Sequence, residues 1–182
     1  MQNAIGMVEF SSIARGIYTA DQMVKASEVE IVTAGTSCPG KYIAIVHGDV
    51  ASVKTSIETG EKISGEYYVD SMVIPNVHPE VFPSITGSCC PKNIGAIGIV
   101  ESFSIAVMME TADIILKAAE LEGVELRLGN GIGGKSYFSY TGDVAAVTAG
   151  TEAGKSVAQE KGLLVNFEVI PSPSALLLEF LV

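Results

Sequence analysis

Apolar residues follow two periods along this chain, and the periods alternate in an order that occurs twice. Residues 4–9 (Ala-Ile-Gly-Met-Val-Glu) form a short apolar run of strand length. Ile13, Ile17, Ala20 and Val24 then recur at helical spacing, which predicts a helix over this stretch. Strand-like runs follow at 29–33 and 42–46, joined by Gly35-Thr36-Ser37-Cys38-Pro39-Gly40-Lys41. Asp49 stands where an N-cap belongs, ahead of Val50, Val53 and Ile57 on one helical face. A last strand at about 69–74 stops at Pro75, and a short helical turn is expected after Pro79.

The same order returns further along. Ala4-Ile5-Gly6-Met7-Val8-Glu9 is matched by Ala96-Ile97-Gly98-Ile99-Val100-Glu101. Thr19-Ala20-Asp21 and Lys25-Ala26 are matched by Thr111-Ala112-Asp113 and Lys117-Ala118. Gly40-Lys41 pairs with Gly134-Lys135, Gly48-Asp49-Val50-Ala51 with Gly142-Asp143-Val144-Ala145, and Val73-Ile74-Pro75 with Val169-Ile170-Pro171. Ile105, Met109, Ala112 and Leu116 repeat the helical stripe. The offset drifts by only a few residues, and it drifts in loops. Two tandem copies of one α+β domain are therefore expected. Each has the order β-α-β-β-α-β, with its helices on one face of a mainly antiparallel sheet. The turn-rich segment 86–93 (Thr-Gly-Ser-Cys-Cys-Pro-Lys-Asn) marks the boundary, giving domains 1–90 and 91–182.

Composition narrows the functional classes. A formal charge of −10 argues against nucleic acid or an anionic membrane as partner, since both select basic patches. No long uninterrupted apolar run predicts a membrane span, and the first residues lack a secretory pattern, so a cytoplasmic protein is expected. Three cysteines, an odd number, do not suggest a disulfide framework. Hydrophobic residues make up 48 % and charged ones only 18 %, a balance that points to extensive subunit contacts.

Several motifs imitate active sites. Residues 129–136 (Gly-Asn-Gly-Ile-Gly-Gly-Lys-Ser) satisfy both the P-loop pattern and G-x-G-x-x-G. Phosphate binding needs a helix after such a loop, to supply amides and a dipole. Here an aromatic, strand-prone run, Tyr137-Phe138-Ser139-Tyr140-Thr141, follows instead. His47 and His78 have no partners at metal-ligand spacing and read as structural or interface imidazoles. Cys89 and Cys90 are adjacent, a poor geometry for chelation or a disulfide, and read as incidental thiols. No nucleophile elbow or carboxylate pair is recognisable, so a non-enzymatic protein is expected. Cys38 at its loop tip is a lone thiol, which alone reads as a small apolar residue.

The residues quoted from the two copies resemble the bacterial microcompartment shell domain. The most specific are Gly6-Met7-Val8-Glu9, Asp21-Gln22-Met23-Val24-Lys25-Ala26, Gly48-Asp49-Val50 and Val73-Ile74-Pro75, with their second-copy counterparts. The resemblance spans nearly the whole chain, in unpermuted order. Cys38-Pro39-Gly40-Lys41 and Gly131-Ile132-Gly133-Gly134-Lys135 look, more narrowly, like the tandem-domain T-type subunits of propanediol-utilisation shells.

That likeness implies a homotrimer forming a flat pseudo-hexameric tile of the shell, among other shell proteins. Thr36, Ser37, Cys38, Pro39 and Gly40, with Gly131, Ile132, Gly133 and Gly134, would surround the central pore. Cys38 from three chains would bind one [4Fe–4S] cluster per trimer, for electron transfer across the shell to an encapsulated or cytosolic redox protein. A purely structural tile with a metabolite-conducting pore is the other reading of the same loops. Lys25, Lys117 and His78 would belong to the tile edge. The family's Ile-Pro-Arg-Pro-His end motif is eroded to Ile74-Pro75-Asn76-Val77-His78 and Ile170-Pro171-Ser172-Pro173-Ser174, which suggests a minor tile. Lys41, opening a strand, is expected to be solvated.

Overall fold

A computed structural model describes residues 4–89, 91 and 94–181. The chain divides into two compact units, 1–77 and 78–182. The first contains strand β1 (Ala4–Phe10), helix α1 (Ile13–Ala26), strands β2 (Glu30–Ser37) and β3 (Lys41–Gly48), helix α2 (Val50–Ser64) and strand β4 (Tyr68–Ile74). The second opens with the short helix α3 (Val81–Thr86). It continues through β5 (Ala96–Ser102), α4 (Ile105–Ala118), β6 (Glu122–Leu128), β7 (Ser136–Gly142), α5 (Val144–Glu160), β8 (Leu164–Ile170) and a last turn, α6 (Ala175–Leu178).

Each unit holds one four-stranded sheet, in the orders β2-β3-β1-β4 and β6-β7-β5-β8. All ladder pairs are antiparallel. This is the expected β-α-β-β-α-β arrangement, with β2 and β4 outermost in the first sheet and β6 and β8 in the second. Residues 78–89, which the repeat gives to the first copy, group with the second unit. There α3 packs on β6 and α4. The repeat unit and the compact unit thus divide the chain at different points.

Local chemistry fixes the elements. Asp49 and Asp143 are the N-caps anticipated from sequence, accepting from the N–H of Ala51 and Ser52 and of Ala146 respectively. Hydrogen bonds from the Ser52 side chain and backbone hold the Asp49 carboxyl below its usual range. Ser12 and Ser104 cap α1 and α4 through the N–H of Arg15 and Val107. The helix after Pro79 and the last strand at 68–74 also match the pattern. β2 runs four residues beyond the predicted 29–33 run, because a bulge between Ile31 and Thr33 restores its pairing with β3.

The first core joins Ala4, Val8 and Phe10 of β1 to Ala20 and Met23 of α1 and to Val53 and Ile57 of α2. The predicted helix is present, but its apolar stripe is not its buried face. Ile13 and Ile17 are exposed, and the buried stripe of α1 is Gly16, Thr19, Ala20 and Met23. Small residues let α1 approach the sheet: a Cβ on Gly16 would lie 2.7 Å from Tyr42. In α4 the counterparts Ile105, Met109, Ala112 and Leu116 are all buried.

The second core is locked by Tyr140, which is fully buried, stacks on Phe138 at 5.2 Å and shares a 2.5 Å hydrogen bond with Thr151. Gly98 lies opposite it across the ladder, and a Cβ there would sit 2.4 Å from the ring. Gly98→Ala is expected to destabilise the protein by about 1–3 kcal/mol through overpacking, read from the denaturant midpoint. An unchanged midpoint would show that the ring can move aside. Burial pushes the Tyr140 phenol up to about 12. The raised folded value leaves stability intact below the unfolded value, near pH 10, and removes it as pH climbs toward 12. Tyr140→Phe is expected to flatten that alkaline decline in a pH series of unfolding curves; an equally steep decline would contradict it.

Candidate functional site: the β2–β3 and β6–β7 loops

The two inter-strand loops occupy equivalent places and differ in length and chemistry. In the first unit Ser37 pairs with Lys41, leaving a three-residue tip, Cys38-Pro39-Gly40. Gly40 has φ 76°, a conformation only glycine adopts freely, and the Cys38–Pro39 peptide is cis. Cys38 is a free, half-exposed thiol, with Pro39 and Gly40 exposed beside it. Thr36 is exposed on the end of β2. Ser37 is buried, and its hydroxyl has no partner among the described residues. Gly35 lies inside β2, opposite Ile43, so the loop is shorter than the sequence implies.

In the second unit Leu128 pairs with Ser136, and seven residues bridge the strands. Gly129, Gly131, Gly133 and Gly134 all have positive φ, and the turn is closed by the Lys135 N–H on the Ile132 carbonyl at 3.3 Å. Gly131 and Gly133 are exposed, Ile132 and Gly134 half-buried. No thiol is present in this loop.

Strand β7, and not a helix, follows the P-loop-like motif. Lys135 donates to Glu101 Oε2 at 2.8 Å instead of reaching into the loop. The phosphate-cradling reading lacks the helix N-terminus it needs, and its lysine is engaged by Glu101. Lys41 makes the equivalent bond to Glu9 Oε1 at 3.0 Å, on a carboxylate that is only 6 % exposed. It is therefore a buried-side ion-pair partner and not the solvated lysine expected from sequence. The same Lys–Glu pair supports the base of both loops.

Near the longer loop, Glu125 gathers the Arg127 guanidinium at 2.7 Å and the Tyr137 hydroxyl. Burial first, and then this carboxylate, push the Tyr137 phenol up to about 12. An alternating strand carries no signal in the sequence for this cluster.

The edge residues separate into two groups. Lys117 bonds Asp113 Oδ2 at 2.6 Å, and the His78 N–H donates to Asp113 Oδ1 at 2.8 Å, so one buried carboxylate joins both predicted residues. Lys25 bonds Asp21 Oδ2 at 2.6 Å in the first unit, where both groups are largely exposed. Asp21 and Asp113 were visible only as repeat landmarks; their i,i+4 spacing to a lysine in both copies was the available signal. His47 meets Glu30 at 3.5 Å, a structural contact. Cys89 lies 3.5 Å from the Ser84 hydroxyl, and Cys90 falls outside the described residues.

Two stretches, 4–77 and 96–173, match the BMC domain. The chain belongs to the BMC domain family. It is 40 % identical over 173 residues to the bacterial microcompartment shell protein PduT of Citrobacter freundii, covering 95 % of this chain and 94 % of that one. A carboxysome assembly protein, CcmO of Synechococcus elongatus, is 26 % identical, over 93 % of this chain and 65 % of its own. The crystal structure of a microcompartments protein from Desulfitobacterium hafniense superposes with a TM-score of 0.95 at 44 % identity, covering 98 % of this chain and 99 % of the other. The resemblance seen in the sequence is thereby shown over both domains. Among the described residues, no helix is long and apolar enough to cross a membrane.

The Lys–Glu pairs give a direct comparison. Lys41→Ala strands a buried carboxylate and is expected to destabilise by about 1–3 kcal/mol in chemical denaturation. Lys135→Ala should cost less, because Glu101 is 31 % exposed and can be solvated. Equal losses would refute this account of the two pairs. Calorimetric titration with ATP is expected to give no binding heat in either the parent or Lys135→Ala; binding lost in the variant would restore the phosphate-loop reading.

Proposed function

We propose that this chain is a trimeric tile of a bacterial microcompartment shell, with Cys38 of three chains holding one [4Fe–4S] cluster at the central pore. The observation that carries this reading is the asymmetry of two equivalent loops. One presents an accessible thiol at a short tip, and the other is longer, glycine-rich and thiol-free. Six such loops around an axis would offer three thiols, not six.

The donor chemistry fits. Such clusters are normally held by four cysteine thiolates, and three leave the fourth iron to water, a small ligand or another group. No group of three or more potential ligands occurs within the chain among the described residues, so in this reading the thiols come from separate copies. A Cβ built on Gly40 meets nothing within 4 Å, so the tip has open space around it. In this reading the N–H groups of Cys38 and Gly40 would stabilise sulfur, whereas Pro39 has none. Lys41 is paired with Glu9 and brings no unbalanced positive charge to the site. When bound, the cluster supplies one-electron transfer, which suits passage of electrons across a shell to an encapsulated or cytosolic redox protein.

The exposed Lys25–Asp21 pair suits contact with neighbouring tiles, and the missing end-motif arginines suit a minor tile among other shell proteins. Nothing in this reading requires catalysis by the chain.

Iron and acid-labile sulfide measured on protein prepared without oxygen should give about four of each per three chains. Cys38→Ser should contain neither and remain trimeric by light scattering. Iron and sulfide retained in Cys38→Ser would overturn the ligand assignment. A wild-type protein that stays metal-free after anaerobic reconstitution would favour the open, metabolite-conducting pore.

A further inference from the structure

The β6–β7 loop carries the dipeptide Asn130-Gly131, and no other asparagine of the chain precedes a glycine. The amide carbon of an asparagine lies within reach of the next residue's backbone nitrogen. Structure normally keeps the two apart, through a hydrogen bond on that N–H, a crowding side chain, or a backbone fixed in a ladder or helix. None of these protections is present at Asn130. Its side chain is exposed, and neither it nor the Gly131 N–H makes a hydrogen bond among the described residues. Gly131 is exposed at φ 75°, and a Cβ built on it meets nothing within 4 Å. Gly129 precedes at φ 69°, so Asn130 stands between two residues of the least restricted backbone. The bond that closes the turn, Lys135 N–H on the Ile132 carbonyl, lies beyond all three.

The other described asparagines are in different surroundings. Asn166 sits within β8, paired with Glu101 of β5, and the bulky Phe167 follows it. Asn76 is followed by Val77, which is β-branched and buried. The equivalent loop of the first unit, Cys38-Pro39-Gly40, has no amide side chain.

We propose that Asn130 is a self-modification site, at which the chain's own backbone converts the amide to a carboxylate. The Gly131 nitrogen, after losing its proton to hydroxide, attacks Cγ of Asn130 and forms a C–N bond. The Cγ–Nδ2 bond breaks, and the amide nitrogen leaves as ammonia, taking a proton from water. Water then adds to either carbonyl of the resulting cyclic imide. Opening leaves the peptide bond on the main-chain carbon, giving aspartate, or on Cγ, giving isoaspartate with an extra methylene in the backbone. In sum, amide and water become carboxylate and ammonium, and nothing is oxidised or reduced. The step runs one way and adds a negative charge to the glycine-rich loop of each chain. Where three chains surround a pore, the rim gains a carboxylate from each, while the thiol-bearing loops keep their chemistry. That count rests on the trimeric reading above; the conversion itself does not.

Folded protein held in mildly alkaline buffer and then briefly digested with trypsin isolates the site, because Arg127 and Lys135 frame residues 128–135. That peptide should split into two new species, aspartyl and isoaspartyl, each heavier by about 1 Da, the exchange of an NH group for oxygen. The peptide carrying Asn166 should stay unchanged over the same interval. In Asn130→Gln the conversion of this peptide should slow by about tenfold or more, because the longer side chain has to close a larger ring. An amide that persists in the folded protein, while the same chain unfolded in urea loses it, would show that the fold protects the site and overturns the proposal. Conversion at an equal rate in Asn130→Gln also overturns it. Native mass spectrometry of the same samples keeps the two readings apart. Monomers that gain the carboxylate support the modification and remove the count of three, whereas trimers that keep the amide do the reverse.

Discussion

A four-stranded sheet with both helices on one face leaves an outer strand and a helix flank without cover. Exposed edges of that kind invite pairing with other chains. In the second unit, α3 seats on β6 and α4 and removes the problem. Its anchor is the Asp113 carboxylate, which takes a backbone N–H on one oxygen and Lys117 on the other. The same sheet in the first unit has its edge open, and most other features of the molecule follow from that difference. Ile13, Ile17, Tyr18 and Ile31 are exposed on a domain whose fold gives them no other place to go.

That asymmetry also explains which parts of the structure were legible in the sequence. Strands, caps and the tandem order could be read directly, because Asp49, Asp143 and the matched segments are local signals. The inward face of α1 could not. Ile13 and Ile17 have helical spacing and strong hydrophobicity, yet Gly16, Thr19, Ala20 and Met23 face the sheet. Periodicity finds an apolar stripe without saying whether it is buried, and this helix exposes Ile13 and Ile17 while burying its smaller residues.

The candidate site shows the same limit. The loop tips were recognisable from glycine, proline and a lone cysteine, and the strand after Lys135 was enough to remove the phosphate-loop motif. The support beneath them was not recognisable. Glu9 and Lys41 are 32 residues apart, and Glu101 and Lys135 are 34 apart. Only the ladder between the first and third strand of each domain brings them together. Asp113 likewise gained its meaning from a backbone N–H contributed 35 residues earlier. A repeat in sequence thus identified the equivalent positions, and the fold showed which equivalents had diverged.

On the proposed reading, the divergence that matters most lies between two equivalent loops of one chain, one with a thiol at its tip and the other with glycines. If copies join around an axis, that difference converts a solitary cysteine into a set of three. Native mass spectrometry of protein prepared and sprayed without oxygen tests this most directly. The account predicts one dominant species, three chains carrying a single four-iron, four-sulfide unit. Monomers each holding their own metal, or trimers that stay metal-free after reconstitution, would contradict it.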